Sequence, residues 1–181
     1  MKKTYFDELS KSMSYLSKKN NTIFLGQAVE VPGTGMSNTL KKVNKKKLYE
    51  LPVAEEMQMG ITLGLAMDGF IPISIYPRWN FLLLAINQLI NHLDKFSIMN
   101  NNKIKPNLII RTGIGSEKPL FPQVQHIGDF SNAISKMTNK IEVIKLKTPT
   151  EIFKNYQKAY LRKDGKFTIL VEYSDFYNKK Q

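Results

Sequence analysis

Short apolar runs bounded by turn residues alternate with helix-patterned segments along the 181 residues of this chain. This alternation favours an α/β fold with a doubly wound, mainly parallel sheet flanked by helices. Ligands bind such sheets at the carboxyl ends of the strands, so the loops after Leu25, Tyr76 and Arg111 are the expected walls of a site. The predicted strands are 22–26, 70–76, 107–111, 141–144 and 167–171, and the predicted helices are 3–18, 55–69, 78–93, 130–137 and 149–161.

One segment, 51–69, combines adjacent carboxylates with a Gly-, Ala- and Met-rich helix pattern, LPVAEEMQMGITLGLAMDG. Its apolar residues surround the helix instead of forming one stripe, which predicts a helix that is buried on most sides. A carboxylate at the mouth of a buried helix is costly without a partner. Glu55 or Glu56 is therefore the first candidate functional group, and Gly60 and Gly64 are spaced for close helix packing.

Two further segments bear on the topology. Residues 27–51 are polar and read as one long loop, which inside a compact domain is usually functional or mobile. Pro72 lies near the start of a predicted strand, where proline is tolerated at a sheet edge or at a first position.

Composition excludes several classes of protein. The chain has no cysteine, so disulfides, thiolate metal sites and a cysteine nucleophile are absent. The first twenty residues lack the apolar core of a signal peptide, and no run approaches the roughly 20 apolar residues of a membrane helix. We therefore expect a soluble, cytoplasmic protein that forms one domain over residues 1–181 and has no membrane partner.

The net charge of +12 raises the possibility of nucleic-acid binding. Only three of the 27 basic residues are arginines, however, and arginine is the better residue for bidentate phosphate and base contacts. A solvated lysine surface is the favoured interpretation, with no nucleic acid as partner.

Several catalytic motifs are missing. The sequence contains no phosphate-binding P-loop, no G-x-G-x-x-G after a strand and no serine nucleophile elbow. His92 and His126 have no acidic residues nearby at metal-ligand spacing, so we expect no metal site built by this chain alone.

The order of the motifs resembles the pyrimidine-binding domain of thiamine diphosphate enzymes, of the transketolase and 2-oxo acid dehydrogenase beta-subunit type. TYFDELSKSM is similar to the opening helix of that family, and TIFLGQAVEVPG to its first strand and the turn that follows. LPVAEEMQMGITLGLAMDGFIPI resembles the core P-x-x-E-x-x-x-x-G-x-A-x-G-x-A-x-x-G-x-x-P. RWNFLLLAINQLINHLDKF, QHIGDF and IEVIKLKTPTEIFKNYQKA then follow in the order of the family's aromatic-rich helix, Q-H-S-Q segment and late strand and helix.

The resemblance implies a catalytic role for Glu55, which occupies the glutamate position of the core motif. In the family this glutamate bonds to the pyrimidine ring nitrogen of thiamine diphosphate and drives the tautomerisation that activates the cofactor. The alternative is a carboxylate that is stabilised by the dipole at a helix N-terminus. Glu56 has no counterpart in the family and reads as a solvated or interface residue.

The resemblance also implies four further site residues. Phe81 matches the aromatic ring that lies against the pyrimidine, although core packing on a helix is the alternative. His126 matches, after a one-residue shift, a histidine that faces the substrate and can move protons or bind a carboxylate. Gln27 and Val53 match positions that meet the cofactor, and Gln27 could equally meet the partner's site.

Two departures from the family imply a partner. Members of the family continue into a third domain and bind the diphosphate and Mg²⁺ through a domain with a G-D-G…N motif, and we expect neither domain in this chain. The resemblance therefore implies a diphosphate-binding partner subunit that carries this motif and Mg²⁺, in a heterotetramer with two copies of each subunit. Arg78 is unusual for the family and is expected to bind an anionic substrate group or to form a surface salt bridge.

The leading hypothesis is the pyrimidine-binding subunit of a split thiamine diphosphate enzyme. It would act with a 2-oxo acid or a ketose, by decarboxylation or by transfer of a two-carbon ketol or acyl unit. The alternative is a non-catalytic binding or scaffold relative of the family.

Overall fold

The computed structural model describes residues 4–31, 34–115, 117 and 121–177. Within them one sheet contains β1 (Thr22–Gly26), β2 (Leu48–Glu50), β3 (Ile71–Tyr76), β4 (Ile109–Ile114), β5 (Ile141–Leu146) and β6 (Phe167–Tyr173). The α-helices are α1 (Tyr5–Ser17), α2 (Gly35–Asn38), α3 (Glu55–Met67), α4 (Trp79–Leu82), α5 (Phe96–Met99), α6 (Ser131–Met137) and α7 (Pro149–Tyr160). No helix among these residues is both long enough and apolar enough to cross a membrane.

The strand order gives the sheet a switch point. All pairs are parallel, and the strands lie in the order β2-β1-β3-β4-β6-β5. The chain moves outward from β1 to β2 and then returns to the other side of β1 to form β3. Such a reversal opens a crevice at the carboxyl ends of the two strands that flank it, here β1 and β3. The predicted doubly wound parallel fold is confirmed.

Helices cover both faces of the sheet with separate apolar clusters. On one face, α1 and α7 pack through residues such as Leu9, Met13 and Tyr156. On the other face, α3, α6 and the helical residues between β3 and β4 contribute Ala66, Trp79 and other buried side chains. The helix α7 begins at a capping box in which Thr148 and Glu151 satisfy each other's backbone amides.

The orientation of α3 differs from the sequence prediction of a helix buried on most sides. Its inward face is largely polar: Gln58 Nε2 donates to Ser74 Oγ and to the carbonyl of Ile75, both at 3.0 Å, and Thr62 Oγ1 lies 2.9 Å from Ser74 Oγ. These bonds satisfy groups that would otherwise be costly to bury. The outward face carries apolar side chains, and a Cβ added at either Gly60 or Gly64 would meet no atom within 4 Å. Among the described residues, therefore, no part of the chain packs closely against these glycines, although their spacing predicts close helix packing.

The stretch 27–51, which the sequence indicates as one long loop, contains regular structure. It includes α2, a 3-10 helix (Lys45–Lys47) and the edge strand β2, and it buries Met36, Leu40 and Val43. The spacing of these three residues at i, i+4 and i+7 is a helical signal that the interpretation as one loop missed. Pro32 and Gly33 lie outside the described residues.

Pro72 is the second residue of β3, a strand paired on both sides. The pairing with β4 begins only at Ile73, so Pro72 has a neighbouring strand on one side only. Its missing N–H therefore leaves no gap in the ladder, which agrees with the expected position near a strand start.

The predicted helix 78–93 forms as a helical run of mixed geometry. After α4 the chain continues through a 3-10 helix (Leu83–Ala85) and a π-helix (Gln88–Leu93). The wider π turn places the amide of Asp94 3.1 Å from the carbonyl of Leu89. Local widening of this kind has no signature in residue spacing, so the sequence predicts only the helical segment.

Asp94 ties this helical run to the start of β5. Its Oδ1 accepts the amides of Asn139 and Lys140, both at 2.6 Å, and its Oδ2 accepts Lys95 Nζ at 2.8 Å. Burial alone would raise the pKa of Asp94, but the bonds from Lys95, Lys140 and Asn139 together lower it below the ordinary value of 3.8.

We expect Asp94→Asn to lower the free energy of unfolding at pH 7 by about 1–3 kcal/mol. A depressed pKa stabilises the folded state above the ordinary pKa, and that stabilisation is lost as the pH falls through the folded-state value. Urea unfolding from pH 7 downward should therefore show the two proteins converging below about pH 3.8. A constant difference at every pH would contradict the ionic origin, and Asp68→Asn, at an exposed position, is the control.

Candidate functional site at the carboxyl edge of the sheet

The predicted site residues lie on the loops that follow neighbouring strands. Gln27 follows β1, Glu55 begins α3 shortly after β2, and Phe81 belongs to α4 just after β3. His126 ends a 3-10 helix (Val124–His126) on the connection that follows β4. The loops after β1 and β3 border the switch-point crevice, which is where the sheet topology places a ligand.

Glu55 is the buried carboxylate of this region. Its residue exposure is only 2%, although it is the first residue of a helix whose N-terminus has no side-chain cap. Gln27 Nε2 donates to Glu55 Oε1 at 3.0 Å, and the Tyr76 hydroxyl donates to the Glu55 carbonyl at 3.3 Å. Burial raises the pKa of Tyr76, so its hydroxyl remains a donor. These contacts join Glu55 to the ends of both β1 and β3.

Gly26 permits the close approach on which this arrangement depends. Its φ is +148°, and a Cβ at this position would lie 2.2 Å from the carbonyl oxygen of Ile75 and 3.1 Å from Gln58 Nε2. Only glycine therefore allows β1 to end directly against β3. The turn that begins here positions Gln27 for its bond to Glu55.

Glu50 is a residue of this region that sequence reasoning missed. Its carboxylate accepts three successive backbone amides, those of Ala28 at 2.6 Å and of Val29 and Glu30 at 2.8 Å. Ala28 has a φ of +54°, which these bonds stabilise. Glu50 thus holds the turn that carries Gln27. One acidic residue in a polar stretch has no sequence signal, and only the pairing of β1 with β2 brings it to this turn.

Phe81 and His126 form the second contact pair of the region. Their ring centroids lie 5.5 Å apart at an interplanar angle of 60°, an edge-to-face geometry that aromatic rings favour. Both residues are half-buried. His126 Nδ1 is buried and has no hydrogen-bond partner among the described residues.

Val53 and Glu56 face outward. Val53 is 78% exposed, so it does not line a closed cavity of this chain. Glu56 is also exposed, in agreement with its interpretation as a solvated or interface residue. Among the described residues, no three His, Cys, Asp or Glu side chains cluster as metal ligands.

The arrangement offers the groups that an aminopyrimidine would need. A buried carboxylate can hold or release a proton at a ring nitrogen, a half-buried aromatic ring can lie against a flat heterocycle, and an imidazole can exchange protons near neutral pH. The residues present therefore fit the pyrimidine end of a thiamine cofactor.

Comparison with known families and sequences gives one consistent result. Residues 11–178 match the family described as "Transketolase, pyrimidine binding domain". The chain is 30% identical over 132 residues to the mitochondrial pyruvate dehydrogenase E1 component subunit beta of Caenorhabditis elegans, which covers 71% of this chain and 37% of that protein. It is 26% identical over 181 residues to the pyruvate dehydrogenase E1 component subunit beta of Gracilaria tenuistipitata var. liui. This match covers 97% of the present chain and 54% of that protein.

A solved structure shows the same fold. It is titled "Split gene transketolase, inactive beta4 tetramer", and it matches with a TM-score of 0.72 at 14% identity over 96% of this chain and 52% of that chain. The present chain thus spans about half, or less, of each of these relatives.

Proposed function

Since this chain belongs to the transketolase pyrimidine-binding domain family, we propose that it is the pyrimidine-binding subunit of a split thiamine diphosphate-dependent enzyme. Residues 1–181 would form one such domain. A diphosphate-binding partner subunit with the G-D-G…N motif and Mg²⁺ would complete the active site. The reaction would be decarboxylation of a 2-oxo acid or transfer of a two-carbon unit from a 2-oxo acid or ketose.

The observation that carries this proposal is the Glu55–Gln27 pair at the switch point. Helix-dipole stabilisation does not explain why the Glu55 carboxylate is 2% exposed, bonded to an amide and placed beside a crevice. A first-turn glutamate can interact with the helix dipole while it is exposed, as Glu56 is. Burial of a charge needs compensation. A ligand nitrogen that shares a proton with Glu55 would supply it.

In the proposed mechanism each residue has one task. Thiamine diphosphate, when bound, would supply the nucleophilic carbon. Glu55 would hold the proton that the pyrimidine nitrogen needs, and Gln27 would keep the carboxylate oriented through its 3.0 Å bond. Phe81 would lie against the ring, and His126 would move protons to and from the substrate. Val53 would contact the pyrimidine from the rim.

The outward face of α3 supports the proposal of a partner. This face, with its surroundings, exposes Val53, Met57, Ile61, Met67 and, on the neighbouring 3-10 helix, Leu84. Exposed apolar side chains on one helix face are typical of interaction sites. Met57 lies two positions after Glu55, so a subunit docked on this face would approach the end of α3 that carries Glu55. Gly60 and Gly64 would allow a partner helix to approach closely.

The structural neighbour offers a parallel for the assembly. Its title describes a split-gene transketolase and an inactive tetramer of beta subunits. We propose that the present chain likewise works with a separately encoded partner, in a cytoplasmic heterotetramer with two copies of each subunit.

The decisive experiment combines this chain with a subunit that carries a diphosphate-binding domain. Co-purification, thiamine diphosphate binding by calorimetry and turnover of 2-oxo acids and ketose phosphates should all be detected with the correct partner. Assembly without any thiamine diphosphate binding would instead support a scaffold relative. Failure to assemble with every such subunit would overturn the proposal.

Gly64→Leu tests the docking face. The added side chain meets no atom within 4 Å of its Cβ, and leucine favours helix more than glycine does, so the isolated chain should keep or raise its melting temperature. Steric overlap in the complex should weaken partner affinity at least about tenfold. Lys154→Leu, on the exposed side of α7, is the control and should leave the affinity unchanged.

A further inference from the structure

The guanidinium of Arg78 joins two distant parts of the chain. Arg78 precedes α4, just beyond the end of β3, and its Nη1 donates to the carbonyl of Gly115 at 3.1 Å and to the carbonyl of His126 at 3.2 Å. Gly115 directly follows β4, and His126 lies eleven positions further along. One nitrogen with two protons thus holds both ends of the connection from Gly115 to His126.

The Gly115 end is further restrained by Asp175. The amide of Glu117 donates to Asp175 Oδ1 at 2.9 Å, and a Cβ at Gly115, whose φ is +76°, would lie 2.2 Å from Asp175 Oδ2. Burial lowers the pKa of Arg78, and the nearby Asp175 partly offsets this effect. Arginine keeps its charge under such conditions, so it remains a donor to both carbonyls.

At the His126 end, the described residues provide no comparable side-chain restraint. His126 Nδ1 is buried without a hydrogen-bond partner among the described residues, and the ring contact in this region is with Phe81. The ring's place therefore depends on where the backbone of residue 126 lies. Among the described residues, the side-chain hydrogen bond to that backbone carbonyl comes from Arg78 Nη1.

We propose that Arg78 is a positioning residue, which fixes His126 edge-to-face against Phe81 by binding the carbonyls of Gly115 and His126. This inference rests on the proposed function only for its catalytic consequence. The sequence led us to expect that Arg78 binds an anionic substrate group or forms a surface salt bridge. We assign its Nη1 instead to the two backbone carbonyls. The class of residue matters, because a planar guanidinium holds two acceptors in a defined direction, whereas an ammonium group is a point charge.

The structural half of the inference can be tested without cofactor or partner. The chain has two histidines, and the exposed His92 lies on the π-helix as an internal reference. In proton NMR spectra, Arg78→Met should shift the imidazole signals of His126 and abolish its cross-peaks to Phe81, while the signals of His92 stay in place. Arg78→Lys should restore part of the His126–Phe81 contact. Arg162→Met is the matched control, because Arg162 pairs with Glu142 and Asp164, away from the carboxyl edge.

The catalytic consequence of the inference is measured as kcat and thiamine diphosphate affinity in the assembled enzyme. Displacing His126 should lower kcat about tenfold to a hundredfold in Arg78→Met, with thiamine diphosphate affinity unchanged. Weaker cofactor binding with an unchanged kcat would mean that Arg78 acts on the ligand instead and would overturn the inference.

The outcomes separate the two proposals. Unchanged His126 signals in Arg78→Met overturn the positioning role, even when the enzyme is active. Shifted signals support it, even when no partner confers activity. If neither Arg78 variant folds, the wild-type protein decides: slowly exchanging Arg78 Nη1 protons near His126 support the contact, and freely rotating ones refute it.

Discussion

Replacing Glu55 by glutamine is expected to lower cofactor-dependent turnover by at least about a hundredfold while the fold is retained. Glutamine has nearly the same shape and still offers an oxygen to Gln27 Nε2, which lies 3.0 Å from Glu55 Oε1 in the native chain. It cannot release a proton, so a loss of turnover would report proton exchange and not packing. Steady-state kinetics of the assembled enzyme and thermal unfolding of the chain measure the two effects separately.

The neighbouring residue supplies a matched control for this experiment. Glu56 has the same chemistry and the same helical turn, but it is exposed. Glu56→Gln should therefore leave turnover unchanged. Wild-type turnover in Glu55→Gln would refute the catalytic role, and equal losses in both variants would point to helix-dipole or surface effects.

Replacing Arg111 by methionine is expected to lower the free energy of unfolding by about 3–5 kcal/mol, because it leaves the buried carboxylate of Glu172 without its counter-charge. Arg111 and Glu172 lie on the adjacent strands β4 and β6, both fully buried, with Nε to Oε1 at 2.5 Å and Nη2 to Oε2 at 3.0 Å. Tyr156 donates to Glu172 Oε1 at 2.5 Å, Tyr177 donates to Oε2, and Thr39 Oγ1 accepts from Arg111 Nη2.

The directions of the pKa shifts agree with a network that keeps its charges. Burial alone would lower the pKa of Arg111, but the attraction of Glu172 raises it. Burial and the charge of Glu172 raise the pKa of Tyr156 and Tyr177, so both hydroxyls stay protonated and continue to donate. Removing the arginine leaves Glu172 without its counter-charge, and two hydroxyls cannot replace it.

Urea unfolding distinguishes this network from an ordinary ion pair. The double variant Arg111→Met with Glu172→Leu should recover much of the lost stability, because no charge remains buried. Lys158→Met breaks the exposed pair with Glu142, and should cost no more than about 1 kcal/mol. Should Arg111→Met fail to fold, Tyr156→Phe, which removes one donor, should still lower stability by about 1–3 kcal/mol. Equal effects of Arg111→Met and Lys158→Met would contradict the buried-network account.

The sequence alone determined the fold class and the candidate site residues. The alternation of apolar runs with helical segments predicted the parallel α/β sheet, because a crossover helix leaves a period that differs from that of a strand. The spacing from Pro52 through Glu55 to Gly69 indicated the family, which the match over residues 11–178 shows. These features are local, so they can be read along the chain.

Only the tertiary structure decided which groups meet. The apolar residues around α3 predicted a helix buried on most sides, but its polar residues Gln58 and Thr62 turn inward, because Ser74 and the Ile75 carbonyl on β3 offer them hydrogen bonds. The apolar face is left outward in the described chain. No pattern within the helix contains that information, since it depends on the strand against which the helix packs.

The same dependence on tertiary packing explains the other contacts that the sequence did not predict. Glu50 reaches the turn at residues 28–30 through the pairing of β1 with β2, and Arg111 meets Glu172 across 61 positions of sequence. Arg78 reaches the carbonyl of His126 across 48 positions. Long-range pairs of single polar residues carry no periodic signal. Sequence therefore predicted five of the six strands and the carboxylate at the centre of the candidate site, while the sheet order decided what holds that site in place.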